Sequence, residues 1–354
     1  MRILSIIVIF LTLSICINFT IYSASYAQNT SKSPQLFELN KQIGFHLPIG
    51  CNIGEDCWIM NYVDMGVDDG EQTDPACYNR TYDNHKGTDF ALLDGKTMEQ
   101  GVNVIAPMDG TVKKIRDDQP DMWPTKAQLN DIRTKRIECG NAILIDHGQG
   151  LETIYCHLKK DSIIVSKGQQ VITGDVLGQV GLSGLTEFPH LHFGITQDKK
   201  VIDPFTGYSN NDKCGKRKKS LWHKDATLNY QPVIIQSAGF HDEIPELQKL
   251  ERHHNAKEEI STDAKILTFA TILLGVREND KITLEIRDPD GKIFAKNIIT
   301  QKGIRAQQFY FTGKKMRTNR LKEGAYTGLV KIERTLKNGK DITVDKITSV
   351  LVIR

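Results

Sequence analysis

Short apolar or alternating runs, each closed by glycine or a turn pair, recur along residues 102–195 and again along residues 264–354. In the first region the runs 102–106, 111–115, 142–146, 152–157, 163–165, 176–180 and 191–195 read as strands, with Asp109-Gly110 and His147-Gly148-Gln149-Gly150 between them as turns. The second region yields strands over 266–276, 281–287, 292–296, 307–311, 326–334 and 342–353, with hairpin turns at Asp288-Pro289-Asp290-Gly291 and Asn338-Gly339. The pattern predicts an all-β chain: a β core over 46–235, then a small immunoglobulin-like β-sandwich over 236–354. Residues 46–83, rich in Gly, Asp, Asn and Cys, read as stapled loops. Residues 117–138, with Pro120 and Pro124, read as a polar, partly helical insertion, and 241–264 as a helix or connection.

The start of the chain has a different character. Arg2 precedes an apolar run over 3–15, and Ser25-Tyr26-Ala27 places small residues where a signal peptide is cleaved. The expectation is a signal peptide over 1–27, a linker over 28–45, and an exported protein of the periplasm or cell envelope with no stable membrane insertion after cleavage. An uncleaved anchor is the rival, weakened by Asn18 and Thr20 inside the apolar stretch. Beyond Cys16 in the leader, six cysteines remain: Cys51, Cys57, Cys77, Cys139, Cys156 and Cys214. An even number in an exported chain predicts disulfides, and Cys51–Cys57 is the one pairing that sequence proximity favours. With 25% charged residues and a net charge of +3, the composition is that of a folded protein and gives no reason to expect nucleic acid as a partner.

Candidate chemistry gathers in the first region. On a strand, His190 and His192 project from one face, and Pro189 disfavours helix just before them. His85 and Asp89 share a face if their segment is extended, with Gly87 between them allowing close backbone approach. His157 completes a set of five metal-capable residues. Two histidines and one carboxylate with an open position form a catalytic zinc set, which leaves two histidines for proton handling. Alternation predicts that Tyr155 shares a face with His157 and lines a groove, while Cys156 points away.

The remaining features read blandly. The acidic run Asp64, Asp68, Asp69, Glu71 and Asp74 lacks calcium-loop spacing and reads as a solvated loop. Gly178, Gly181 and Gly184 read as turns rather than a phosphate loop. His147 reads as a structural turn residue and His253-His254 as solvated. Lys213, Lys216, Arg217, Lys218, Lys219 and Lys224 form a basic cluster, a solvated face or an anion site for wall polymers.

Taken in order, His85-x-x-x-Asp89, Tyr155-Cys156-His157-Leu158 and His190-Leu191-His192-Phe193 resemble the M23 (lysostaphin/LytM-type) zinc metallopeptidases. The stretches 104–112 and 140–148 resemble that family too, and the similarity covers about residues 80–205. The resemblance implies an antiparallel β core with a groove, one Zn2+ per chain, and cleavage of peptide bonds in peptidoglycan stem peptides or cross-bridges. It implies that His85, Asp89 and His192 hold the zinc and that His157 and His190 are the catalytic histidines. One departure is Glu187-Phe188 before Pro189-His190, where many members carry glycine or small hydroxyl residues. Two rival readings are a non-catalytic module that activates a cell-wall amidase, and a scaffold whose sandwich is the working part.

Overall fold

Runs rich in Val, Ile, Thr and aromatic residues pair as strands because their branched side chains fill the pleated surface. The computed structural model describes residues 44–66, 68, 70–216, 219–226, 228–317 and 320–354. The expected signal peptide, most of the expected linker, Asp69, Arg217 and Lys218 lie outside the described residues.

The first part of the chain comprises β1 (Cys57–Asn61), β2 (Thr88–Leu92), α1 (Gly95–Gln100), β3 (Asn103–Ile105), β4 (Gly110–Arg116) and α2 (Lys126–Lys135). It continues with β5 (Asn141–Asp146), β6 (Leu151–Leu158), β7 (Gln170–Val171), β8 (Val176–Gln179), β9 (His190–Gln197) and β10 (Lys200–Val201). The main sheet runs β1-β2-β9-β6-β5-β4-β7, with β10 on β9, while β3 and β8 form a separate ribbon. All of these pairings are antiparallel. Ile59, Phe90, Leu191, Phe193, Tyr155 and Ile143 lie in the apolar core on one face of this sheet.

The second part contains β11 (Ile234–His241), α3 (Leu247–Arg252), β12 (Glu259–Ser261), β13 (Ile266–Val276), β14 (Lys281–Arg287), β15 (Ile293–Thr300), β16 (Arg305–Lys315), β17 (Gly324–Thr335) and β18 (Asp341–Ile353). It is a β-sandwich of a three-stranded sheet, β11-β13-β16, and a five-stranded sheet, β12-β18-β17-β14-β15. Phe240, Phe269 and Leu273 of one sheet share a core with Leu284, Val330, Ile332 and Val350 of the other. The chain is thus all-β, an antiparallel core followed by a β-sandwich, as the alternation predicts.

Several local expectations are corrected. Residues 57–61 are a strand rather than a stapled loop; all five are buried, so no alternation marks them. The strand β11 escapes prediction because Gln236, Ser237, Gly239 and His241 interrupt its apolar run although every residue of it is buried. Residues 163–165 are not a strand: the Ile163 N–H goes to the Asp117 carboxylate and that of Ile164 to the Leu177 carbonyl. Phe45, at the end of the expected linker, is only 3% exposed and joins the core. Asp64 and Asp74 are buried hubs rather than solvated charges. Asp64 accepts from the N–H groups of Gly66, Thr73 and Asn84, and Asp74 from those of Ala76, Tyr78 and Arg80 and from the Tyr230 hydroxyl.

The sandwich packs on the face of the main sheet opposite the core just described. Trp58, Met60 and Ala91 of that face are buried against Ile234, Leu250, Ala270, Ile272 and Leu274. Arg80 strengthens this junction by donating to the carbonyls of Ile59, Met60 and Gln231. The buried Arg334–Asp280 pair lies beside it, with Arg334 also donating to the Gly275 and Pro232 carbonyls.

One buried histidine of the sandwich gives a pH prediction. His241 is 1% exposed with Nε2 unpartnered, and burial, then the charge of His254, push its pKa down to about 4 against the opposing pull of Asp242. The fold therefore favours neutral His241, and its contribution is present above the unfolded pKa near 6.5 and lost as pH falls toward 4. His241→Gln should flatten the fall of Tm between pH 7 and pH 5, removing a sensitivity on the order of 1–2 kcal/mol. Parallel Tm–pH curves for the two proteins would refute this.

Candidate metal centre

Antiparallel pairing sets one row of residues across four strands. Asn61 of β1 opposes Asp89 of β2, Asp89 opposes His192 of β9, and His192 opposes Cys156 of β6. Paired residues share a face, so this row stands opposite the apolar row Phe193–Tyr155–Ile143. His85 arrives from the loop before β2. Its N–H bonds the Tyr82 carbonyl, and its own carbonyl accepts from Asp64. Gly87 permits the approach: a Cβ there would lie 2.7 Å from His192 Nε2.

Three donor atoms converge. His85 Nε2 is 3.0 Å from Asp89 Oδ1, His192 Nδ1 is 2.9 Å from the same oxygen, and the two nitrogens are 3.1 Å apart. Tetrahedral zinc with ligands at about 2.0–2.1 Å separates its donors by roughly 3.4 Å, so small outward shifts would admit the ion. The supporting bonds point the right way. His85 Nδ1 donates to the Tyr62 carbonyl at 2.7 Å, and Asn61 Nδ2 donates to Asp89 Oδ2 at 2.9 Å, leaving Nε2 and Oδ1 to face a metal. Among the described residues one other trio of metal-capable groups occurs, Cys51, Asp56 and Cys57, but its cysteines form a disulfide.

Electrostatics reinforce the set. Burial opposes charge on Asp89, yet the adjacent His85 and His190 and the hydrogen bonds from His192 and His85 hold its carboxyl well below the usual range. Burial likewise opposes charge on His85, but Asp89 outweighs it and raises the imidazole.

The other two histidines stand beside this trio. The His157 and His190 rings are 4.5 Å apart, and His157 is 6.1 Å from the His192 ring. His157 Nδ1 donates to the Ser183 carbonyl at 2.8 Å, and His190 Nδ1 to the Phe188 carbonyl at 3.0 Å, with Thr186 Oγ1 at 3.1 Å. Each ring thereby turns Nε2 away from its backbone partner. Burial lowers both pKa values, and for His157 the nearby imidazoles of His190 and His192 lower it further. Both shifts favour the neutral form of the ring.

Alternation fails at the end of β6. His157 has φ 62°, in the left-handed region, so it does not share a face with Tyr155. Tyr155 is fully buried and packs on Phe193 in the core, while Cys156 lies on the histidine face. This reverses the expected placement of both residues. The signal was absent because no glycine marks the left-handed position.

The structure also identifies supporting residues that spacing did not reveal: Asn61, Ser183, Thr186, and Tyr82, whose ring centroid is 4.4 Å from that of His85. Phe188 stacks on His190 at 4.5 Å and packs against the buried cluster that Trp58, Met60 and Ala91 form with Ile234, Leu250, Ala270, Ile272 and Leu274. His147 is a structural bridge from the Asp109 carbonyl to Thr153. The backbone N–H of His254 donates to Asp94, and its ring is partly buried rather than solvated. The six cysteines pair as Cys51–Cys57, Cys77–Cys214 and Cys139–Cys156.

Comparison with known proteins agrees with this geometry. Residues 83–204 match the model of peptidase family M23. The chain is 30% identical over 141 residues to an uncharacterized metalloprotease of Haemophilus influenzae, covering 39% of this chain and 24% of that protein. It is 31% identical over 119 residues to the peptidoglycan DD-endopeptidase ShyB of Vibrio cholerae, covering 34% and 22%. It is 30% identical over 129 residues to the stage II sporulation protein Q of Bacillus subtilis, covering 36% and 37%. The matched stretch thus spans well under half the length of these relatives. Over residues 83–204 the chain carries a peptidase family M23 domain.

Proposed function

We propose that this chain is an exported zinc metalloendopeptidase that hydrolyses peptide bonds in peptidoglycan stem peptides or cross-links. One observation carries the reading: His85 Nε2, Asp89 Oδ1 and His192 Nδ1 converge within 3.1 Å of one another, with His157 and His190 beside them. Similarity to a peptidoglycan DD-endopeptidase supports the substrate class. Three disulfides support an oxidising compartment such as the periplasm or cell envelope.

In this reading His85, Asp89 and His192 hold one zinc ion. Zinc, when bound, supplies Lewis acidity toward the scissile carbonyl and lowers the pKa of water at the site toward neutrality. His157 and His190 handle the proton. Burial favours their neutral form, and, held by their Nδ1–H bonds, they present Nε2 to accept a proton from the attacking water. The protonated ring then donates to the oxyanion or the departing amine. Burial excludes bulk water and strengthens each of these interactions.

The test is incubation of the purified, zinc-loaded chain with peptidoglycan free of other hydrolases, followed by labelling of new amino termini. The reading expects new peptide ends and intact glycan–peptide amide bonds. A folded, zinc-loaded chain that releases no ends but stimulates an added amidase would favour the activator module instead.

A further inference from the structure

The Cys139–Cys156 disulfide touches the histidine site in a way that Cys51–Cys57 and Cys77–Cys214 do not. Between the pairs Ile143–Tyr155 and Asn141–Leu158, one residue of β5 (Ala142) faces two of β6 (Cys156 and His157). This is a β-bulge, and its second residue, His157, sits at φ 62°, a conformation ordinarily reserved for glycine. The bulge turns the His157 ring out of the regular alternation and toward His190. A side chain kept in such a conformation must be held by its surroundings.

The holding contacts come from residues 139–141 and 181–183. The His157 N–H donates to the Cys139 carbonyl at 2.8 Å, and the His157 carbonyl accepts from Gly181 at 2.9 Å. Ser183 takes the ring Nδ1–H through its carbonyl, while its hydroxyl accepts from the Asn141 N–H and donates to the Leu158 carbonyl. Gly140 and Gly184 pack backbone to backbone; a Cβ on Gly184 would lie 2.3 Å from the Glu138 carbonyl oxygen. The segment that supplies the Cys139 carbonyl is covalently tied, through its own sulfur, to the residue just before His157. Cys156 in turn opposes His192 across the strands.

We propose that the Cys139–Cys156 disulfide is a positioning element for His157, clamping the bulge so that the ring keeps its Ser183 bond and faces His190. The inference rests on the peptidase reading for its kinetic consequence only. His85, Asp89 and His192 are held by other contacts, so loss of the clamp should spare the metal.

The test compares Cys139→Ser/Cys156→Ser with Cys51→Ser/Cys57→Ser, each purified with zinc. The first variant should keep one zinc per chain and cleave wall peptide with kcat reduced at least about tenfold and KM within about twofold, as expected when a proton-transfer group is misplaced. The second should keep kcat. A signal that needs no turnover decides the positioning separately: the slowly exchanging Nδ1–H proton of His157, assigned by its absence in His157→Gln. It should be present in the wild type and in the 51/57 variant, and lost in the 139/156 variant. Retention of this proton together with full kcat in the 139/156 variant would overturn the proposal. If the variant fails to fold, the folded wild type is treated with a phosphine, which leaves as its oxide with an oxygen from water while the disulfide becomes two thiols. The same proton is then read on chains shown by alkylation to be open only at Cys139 and Cys156, and its persistence overturns the proposal equally. A wild type that cleaves nothing yet shows the proton would sink the peptidase reading and leave the positioning intact.

Discussion

His192→Ala should empty the metal centre. A catalytic zinc site keeps three protein ligands, and removing one leaves His85 and Asp89 as a two-ligand remnant. Loss of a residue that merely supports a ligand costs about 10–100-fold in metal affinity, so loss of a ligand itself should cost more than about a hundredfold. After dialysis against metal-free buffer, the variant should retain almost no zinc while the wild type holds one per chain, and wall-peptide hydrolysis should be undetectable. The fold should persist, because the His192 side chain is 13% exposed and the core lies on the other face of the sheet. Full zinc occupancy in His192→Ala, measured by elemental analysis, would contradict the ligand assignment.

His157→Ala and His190→Ala should separate chemistry from metal binding. Neither Nε2 is needed to hold the ion if His85, Asp89 and His192 do so, and each ring is anchored through Nδ1 to a carbonyl outside the trio. Each variant should keep its zinc and lose about 10²–10⁴-fold in kcat, the contribution of a positioned acid, base or oxyanion donor. Zinc loss in His157→Ala would move it among the ligands. Retained zinc with undiminished turnover would make it structural.

The two halves of this site were legible to different degrees. The His-Leu-His step of β9 could be read because strand geometry has a period of two, and Gly87 signals the close approach by which His85 reaches Asp89 from the loop before β2. His85, Asp89, His190 and His192 come together as those spacings suggest, and His157 joins them through a bulge. The His157 bulge could not be read, since a non-glycine at positive φ leaves no mark on the sequence, and the places of Tyr155 and Cys156 were reversed with it. Fully buried strands such as β1 and β11 were lost for a related reason: with both faces covered there is no alternation to detect. Most strands of the sandwich, each with one face toward its core, emerged nearly in place. How the sandwich packs depends on scattered contacts. Phe188, which the sequence marks only as a departure, proves to stack on His190 and to pack against the buried cluster between the main sheet and the sandwich. Asp64 and Asp74 look like surface charges until the N–H groups they collect are known.

The central claim is that one zinc ion held by His85, Asp89 and His192 makes this chain a peptidoglycan peptidase. Its most direct test is turnover of a wall peptide by metal-stripped protein as zinc is returned in measured equivalents. The account predicts that turnover rises in proportion to bound zinc and breaks at one equivalent per chain, with no rise in His192→Ala. Turnover that is already full without metal, or that stays at zero with one zinc firmly bound to the folded wild type, would contradict it.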